Sequence, residues 1–357
     1  MMKERALLLR RLDAQQLGAL HRFSTPAELV YSLGAVQAQD YDMAKWALGL
    51  RLPHTVADQD IEAALNEGHI LRTHILRPTW HFVHPQDIRW MLQLTAPGIY
   101  RYAAHYFRSL ELDQRLLRRC SKLIGKQLRD RNHCTRAEIG AMLEKAGIPA
   151  EGQRLGHIMI HAELEGLVCN GARKGKQHTY ALLEERAPAT AALTRDEALA
   201  RLALRYFGGH GPATEKDFSW WSGLSLTDAR KAIALNKGEL LSDRYLDTEV
   251  WFVSPAATLS GPGLWLLPNF DEYTVAYSNR NMLLDAANKA SLSRAGSVIF
   301  SNTLVVEGKI AGTWKRSRTA GAVHIDVTPF SPLTPAQHRL LARQEERLRQ
   351  FLLPAEY

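Results

Sequence analysis

The sequence predicts an α+β protein made of three tandem winged helix-turn-helix units and a small C-terminal β-barrel. Three times in succession, segments with helical apolar spacing precede two short segments rich in β-branched and aromatic residues. Helices followed by a two-stranded hairpin are typical of a winged helix. Beyond residue 260 the chain changes to a series of short strand-like segments. The predicted units are residues 1–110, 111–190, 191–260 and 261–357.

The first unit is predicted to carry a polar cluster at the end of a helix. Ser24 or Thr25 can cap this helix, and its apolar period continues to Val36. Gln37 and Gln39 follow; at i and i+2 of a regular helix they would point about 200° apart. They can therefore converge on one ligand only if the helix ends here or becomes irregular. The alternative is that both amides cap carbonyl groups at the helix end.

The first hairpin is predicted from residues 70–76 and 79–83, which are rich in β-branched and aromatic side chains. Arg77 and Pro78 lie between these two segments and form the expected turn.

The second unit has the clearest wing. Its predicted helices span residues 112–129, 136–146 and 151–165, and Thr135 and Glu138 form a capping box before the middle one. Predicted strands at residues 167–170 and 178–182 flank a loop of glycine and basic residues. That loop contains Arg173, Lys174 and Lys176. Three cations on a bendable backbone suit contact with nucleic acid phosphates, and the alternative is a solvated turn.

The remaining elements are predicted from the same signals. In the third unit, the helices and the wing are expected at residues 195–207 (ended by Gly208-Gly209), 215–219, 226–235 and 240–253. Gly261-Pro262-Gly263 marks the last boundary. Beyond it, strands are expected at residues 264–267, 298–300, 303–306, 309–314 and 323–327, with a turn around residues 316–321 and a closing helix at 335–353.

Composition limits the classes of function. The 357 residues carry a formal net charge of +8, and an excess of Lys and Arg favours a polyanionic partner such as nucleic acid. The three cysteines lie far apart, and neither a secretory core nor a membrane-spanning stretch is evident. We therefore expect reduced thiols, a cytoplasmic location and no membrane partner.

No cofactor or metal site is predicted. His157 and His161 share a helix face, but Ile158 stands where the zinc-protease motif requires glutamate. Asp271 and Glu272 could form an acid pair; we favour structural ion pairs, because adjacent strand residues point to opposite faces. Glycine-rich nucleotide-binding motifs are absent from the sequence.

These residues resemble those of the AlkZ/AlkX-type winged-helix DNA glycosylases, a family of interstrand crosslink repair enzymes. The family motif is Gln, an apolar residue, then Gln or Asp, which Gln37-Ala38-Gln39 matches. Pro78 departs from the family pattern, where glycine is commoner. The resemblance covers nearly the whole chain and implies a C-shaped arrangement of the three units. Other similar stretches are residues 77–83, 175–180, 217–224, 267–273 and 312–314.

The resemblance implies a monofunctional glycosylase that removes N7-alkylated guanine from DNA and unhooks interstrand crosslinks. It implies that Gln37 and Gln39 position the attacking water. Asp40 is a candidate third member, with a helix-capping role as the alternative, and His81 is a candidate contact near the lesion. The expected partner is double-stranded DNA with alkylated or crosslinked guanine, bound by a monomer without a cofactor.

The candidate DNA contacts are cations near predicted turns, namely Arg77, Arg173, Lys174, Lys176, Lys315, Arg316 and Arg318. The alternative function is a non-catalytic winged-helix DNA-binding regulator. A regulator would explain the charge and the wings, but it gives Gln37 and Gln39 no shared role. Regulators of this kind usually dimerise, and the sequence contains no evident dimerisation segment.

Overall fold

The fold alternates helices with small antiparallel sheets. A computed structural model describes residues 1–18, 22–253, 263–288, 298–319 and 322–353. Within these ranges the strands form sheets with the orders β1-β3-β2, β4-β6-β5, β7-β8 and β12-β11-β10-β9, defined below. The mixture of helix and sheet agrees with the predicted class. None of the helices in these ranges has both the length and the apolar character needed to cross a lipid bilayer.

The N-terminal part contains four helices and a three-stranded sheet. Its elements are α1 (Glu4–Ala14), α2 (Pro26–Leu33), β1 (Ala35–Gln37), α3 (Tyr41–Gly49), α4 (Asp58–Glu67), β2 (Leu71–Ile75) and β3 (Thr79–Val83). Thr25 caps α2 in a capping box, as the sequence predicts. The predicted continuation of this helix to Val36 is wrong. The chain leaves α2 at Gly34, whose φ of +80° suits glycine, and then pairs with β3 as a strand.

The second part is also built from helices and a small sheet. Its elements are α5 (Ile88–Ser109), α6 (Gln114–Gln127), β4 (Cys134–Thr135), α7 (Arg136–Lys145), α8 (Gly152–Leu164), β5 (Val168–Asn170), β6 (Thr179–Leu182) and α9 (Leu183–Arg186). Thr135 caps α7 in the predicted capping box. The 22-residue α5 was not predicted; it packs against β2, α8 and the helix that follows α9.

The third part repeats the order of helices and hairpin. Its elements are α10 (Arg195–His210), α11 (Glu215–Ser222), α12 (Leu226–Leu235), β7 (Leu241–Tyr245) and β8 (Thr248–Phe252). The prediction that Gly208-Gly209 ends the first of these helices is wrong. A Cβ added to Gly209 would lie 3.1 Å from Cα of Leu33, so the glycine lets α10 approach α2 closely without ending the helix.

The C-terminal part is an open sheet covered by a helix. Its elements are β9 (Leu264–Leu267), α13 (Glu272–Val275), β10 (Thr303–Val306), β11 (Lys309–Thr319), β12 (Ala322–Pro329) and α14 (Pro335–Leu352). The predicted closed barrel is not found among the described strands, and the predicted strand at residues 298–300 is a turn. Residues 316–319 extend β11 instead of forming a turn. Gly261 and Pro262 lie outside the described residues.

The three largest apolar cores of the described residues hold these parts together. One joins α1–α4 to the C-terminal sheet and α14, and Trp46, Leu266 and Phe351 lie within it. Another joins the β2-β3 hairpin to α5 and α10–α12. A third lies among α6, α7 and α8. The end of β1 lies between the first two cores, because Val36 belongs to one and Ala35 to the other.

Candidate functional site

Gln37 is held at both its backbone and its side chain. It is the last residue of β1 and is only 7% exposed. Its backbone N–H donates to Oε1 of Glu272 at 2.7 Å, and its side-chain Oε1 accepts from Nη2 of Arg77 at 2.8 Å. A guanidinium only donates hydrogen bonds, so the amide atom that faces Arg77 must be the oxygen. The amide nitrogen Nε2 has no hydrogen-bond partner among the described residues.

Glu272 is a buried carboxylate with three donors. Besides the N–H of Gln37, it accepts from Nε1 of Trp221 at 3.0 Å and Nε2 of His210 at 3.2 Å, both through Oε2. Burial opposes its ionisation, but the hydrogen bond and charge of His210 and the N–H of Gln37 outweigh burial. They lower the pKa of Glu272 to about 2, so it is ionised at neutral pH.

His81 lies directly opposite Gln37 on the neighbouring strand β3. Its side chain is fully buried, and Nδ1 lies 2.9 Å from the carbonyl oxygen of Thr79. Because a carbonyl oxygen only accepts, Nδ1 carries the ring proton, and Nε2 is a hydrogen-bond acceptor. Burial, and then the charge of Arg77, lower the pKa of His81 to about 3. The imidazole is therefore neutral at physiological pH.

A polar row crosses this sheet. Thr73 of β2 pairs with His81, so Gln37, His81 and Thr73 are neighbours across three strands and share one face. Nε2 of His81 and Oγ1 of Thr73 are buried, and neither has a hydrogen-bond partner in the described part of the chain. Buried polar groups are nearly always satisfied, so this row favours a small polar ligand such as water.

Gln39 lies outside this row. It is exposed, and its side chain makes no hydrogen bond within the described ranges. Ala38 before it is fixed on both sides: its N–H donates to the carbonyl of Trp80 at 2.7 Å, and its carbonyl accepts from Nη2 of Arg72 at 2.9 Å. Asp40 after it caps α3 by accepting from the N–H of Met43 at 3.3 Å. The structure thus brings Gln37, His81 and Arg77 together, with Gln39 on the adjacent surface.

The cations of the loop between β5 and β6 differ in their ion-pair partners. Nη1 of Arg173 lies 3.3 Å from Glu62, and Nζ of Lys174 lies 3.1 Å from Glu138. Lys176 is exposed and makes no ion pair with the described residues. It is therefore the cation of this loop that is available to an external anion.

The cations of β11 lie beside a surface groove. Nη2 of Arg316 is 3.6 Å from Asp42, Nη2 of Arg318 donates to the carbonyl of Leu352 at 3.3 Å, and Lys315 is exposed. The groove has a volume of about 330 Å³ and is lined by Asp42, Arg316 and Arg318 among others.

The loop between β5 and β6 and the strand β11 both contact the first turn of α3 through an arginine. The guanidinium of Arg173 lies 5.3 Å from the ring centre of Tyr41, and Arg316 pairs with the adjacent Asp42. This turn begins two residues after Gln39. The exposed glutamine therefore lies two residues before the turn that Arg173 and Arg316 both contact.

Asp271 and Glu272 both pair with basic side chains, as expected, but the premise that they lie on a strand is wrong: Asp271 caps α13 and Glu272 begins it. Asp271 forms a two-pronged ion pair with Arg51, both distances being 2.8 Å, and Glu272 faces His210. Sequence reasoning did not find the link from Glu272 to Gln37, which joins residues 235 positions apart. The signal available was that residues 267–273 resemble the same family as Gln37-Ala38-Gln39.

Comparisons with known proteins agree on one family. A family model described as "DNA glycosylase AlkZ-like" matches residues 30–351. A curated relative, the interstrand DNA cross-link repair glycosylase of Streptomyces sahachiroi, is 24% identical over an alignment of 307 residues that covers 81% of each chain. The solved structure of Streptomyces sahachiroi DNA glycosylase AlkZ matches 99% of each chain with a TM-score of 0.80 at 20% identity, which shows a shared fold.

Proposed function

This chain belongs to the AlkZ-like family of DNA glycosylases, and we propose that it hydrolyses the N-glycosidic bond of N7-alkylated guanine in double-stranded DNA. Its substrates include guanines joined in interstrand crosslinks, a proposal supported by the activity named for the Streptomyces sahachiroi relative. Family membership favours this enzyme over the non-catalytic regulator.

The chemistry of the substrate matches the groups around Gln37. N7-alkylguanine is cationic, so it leaves with the bonding electrons as a neutral base and needs no strong acid. The enzyme must place a water near C1′ and stabilise positive charge on the sugar. The amides of Gln37 and Gln39 position this water. Among the described residues, Glu272 is the carboxylate bonded to Gln37, and it already accepts from three donors, so it is not available as a base.

One observation carries the proposal: Gln37 is anchored through both its backbone and its side chain beside a polar row. These two contacts satisfy the backbone N–H and the amide oxygen, and the amide NH2, which has no partner among the described residues, is left to bind a ligand. Holding both fixes the direction of the amide, which is what positioning a water requires.

The three helix-and-hairpin units act as winged helices that surround the duplex in a C-shape. Lys176 and Lys315 are exposed and contact phosphates, and Arg316 and Arg318 on β11 reach the backbone or the minor groove. Arg173 and Lys174 are held by acidic side chains and contribute to DNA binding after exchanging partners.

The test is base release from defined duplexes under single-turnover conditions. The wild-type protein should release 7-methylguanine and unhook an N7-linked crosslink, and it should not release uracil, a neutral base that leaves less readily. Equal release of both bases would show that the site supplies strong acid or base catalysis. No release of 7-methylguanine would contradict the proposed substrate.

A further inference from the structure

The polarity of Gln37 is set by its neighbour. Arg77 occupies Oε1, so the group that Gln37 offers to a ligand is its amide NH2, a donor. A water that receives this hydrogen bond keeps a lone pair for attack, but Gln37 in this orientation cannot accept the proton that the water must lose.

His81 has the opposite polarity. Its Nδ1 is committed to the carbonyl of Thr79, and its buried Nε2 is an unpartnered acceptor among the described residues. Gln37 and His81 are direct cross-strand partners, whose Cβ atoms in such pairs lie about 4.5–5.5 Å apart. Side chains whose Cβ atoms are this close are near enough to share one bound water.

We propose that Gln37 and His81 form a donor–acceptor pair for the attacking water, with Arg77 as the positioning residue that fixes its polarity. This inference rests on the proposed function. The water oxygen forms a bond to C1′ while the C1′–N9 bond breaks. The electron pair of the C1′–N9 bond stays on the leaving base and neutralises the alkylated guanine. The proton lost by the water passes to Nε2 of His81 and later returns to solvent.

A weakly basic imidazole is sufficient for this step. When water adds to a sugar cation, the protonated hydroxyl formed at C1′ is a far stronger acid than an imidazolium. Proton transfer to His81 is therefore favourable even though burial and Arg77 lower its pKa to about 3. The charged and titratable groups that act on His81 are Arg77, Glu272 and His74, and His74 is itself paired with Glu163.

The roles of Arg77 as a positioning residue and as a DNA contact are separable. Arg77→Met should slow single-turnover release of 7-methylguanine on the order of 10²-fold at saturating enzyme, and Arg77→Lys should recover much of that loss because an ammonium also donates. A purely phosphate-binding arginine gives a different result: an unchanged saturated rate and a salt slope of log affinity smaller by about 0.9. That result would overturn the positioning role.

His81 is tested with a side chain of similar reach. His81→Gln keeps a hydrogen-bond acceptor but is not basic, so release should fall on the order of 10²-fold with DNA affinity retained. The matched control is His84→Phe, just beyond β3 and outside the row. A His81→Gln rate equal to the wild-type rate would overturn proton transfer to His81.

The wild-type protein provides a test that does not depend on a variant folding. With His81 neutral throughout, the saturated rate of release should be nearly constant from about pH 8 to about pH 5. A rate that falls tenfold per pH unit below about 6.5 would assign the proton to an ordinary histidine and contradict the inference.

Failure of this inference is distinguishable from failure of the proposed function. If the wild-type protein releases no 7-methylguanine, the proposed function fails, and if Gln37→Ala releases it normally, the catalytic site lies elsewhere. If both behave as proposed while His81→Gln and Arg77→Met act at the wild-type rate, only the donor–acceptor pair is wrong.

Discussion

Glu272→Gln should destabilise the protein and show how strongly the site depends on one buried carboxylate. The pKa of Glu272 is lowered from 4.5 to about 2. At about 1.4 kcal/mol for each tenfold change in the acid constant, this corresponds to about 3 kcal/mol of folding free energy. The amide would also place an NH2 group against one of the donors from Gln37, His210 or Trp221.

The expected effect can be followed by thermal melting. An unfolding entropy of about 2.1 cal/mol/K per residue over 357 residues converts about 3 kcal/mol into a Tm lower by about 4 °C at pH 7. Because the folded pKa is depressed, the contribution of Glu272 is complete above pH 4.5 and is lost as the pH falls through about 2. The difference in Tm between wild type and variant should therefore narrow below pH 4.5.

Glu239→Gln is the matched control, because Glu239 is exposed. It should melt like the wild type at every pH. If Glu272→Gln also melts within about 1 °C of the wild type at pH 7, the three hydrogen bonds to this carboxylate contribute no net stability, and the reasoning is refuted.

Three further predictions concern the DNA interface, the core and the second glutamine. Lys176→Ala should reduce the salt slope of log DNA affinity by about 0.9. The paired Lys174→Ala should reduce it less, and equal slopes for both would contradict the assignment. Asp271→Ala should lower stability by about 3–5 kcal/mol, because it removes the carboxylate from buried Arg51; unchanged thermal melting would contradict this. Gln39→Asp should retain release of 7-methylguanine and add a pH dependence, whereas Gln39→Leu should be nearly inactive. Normal release by Gln39→Leu would show that this amide has no role in positioning water.

Much of the helical structure was predictable because its signals are local. Thr25, Thr135 and Thr214 cap helices through residues three positions later, and a sequence shows such pairs directly. The hairpin β2-β3 was predictable for a similar reason, since its two strands are separated by a short turn.

The strand β1 was not predictable from its own residues. Val36 continues the apolar period of α2, and only pairing with β3 and the turn at Gly34 convert the segment into a strand. That the C-terminal sheet is open could not be predicted either, because strand-like segments alone do not determine whether a sheet closes into a barrel.

The site was predictable in its central residue but not in its environment. Gln37 was identified through a resemblance to a family motif, and Arg77 and His81 were identified for other roles. Their assembly depends on cross-strand pairing and on Glu272, which is distant in the chain. Contacts between residues so far apart in the chain cannot be predicted from composition or from motif spacing.

The most direct test of the central claim is the saturated single-turnover rate of 7-methylguanine release by Gln37→Ala, compared with wild type and with Gln114→Ala, an exposed glutamine at the start of α6. We expect a loss on the order of 10²-fold or more for Gln37→Ala, with DNA affinity within about twofold and Gln114→Ala unaffected. A Gln37→Ala protein that releases the base at the wild-type rate would place the catalytic site elsewhere.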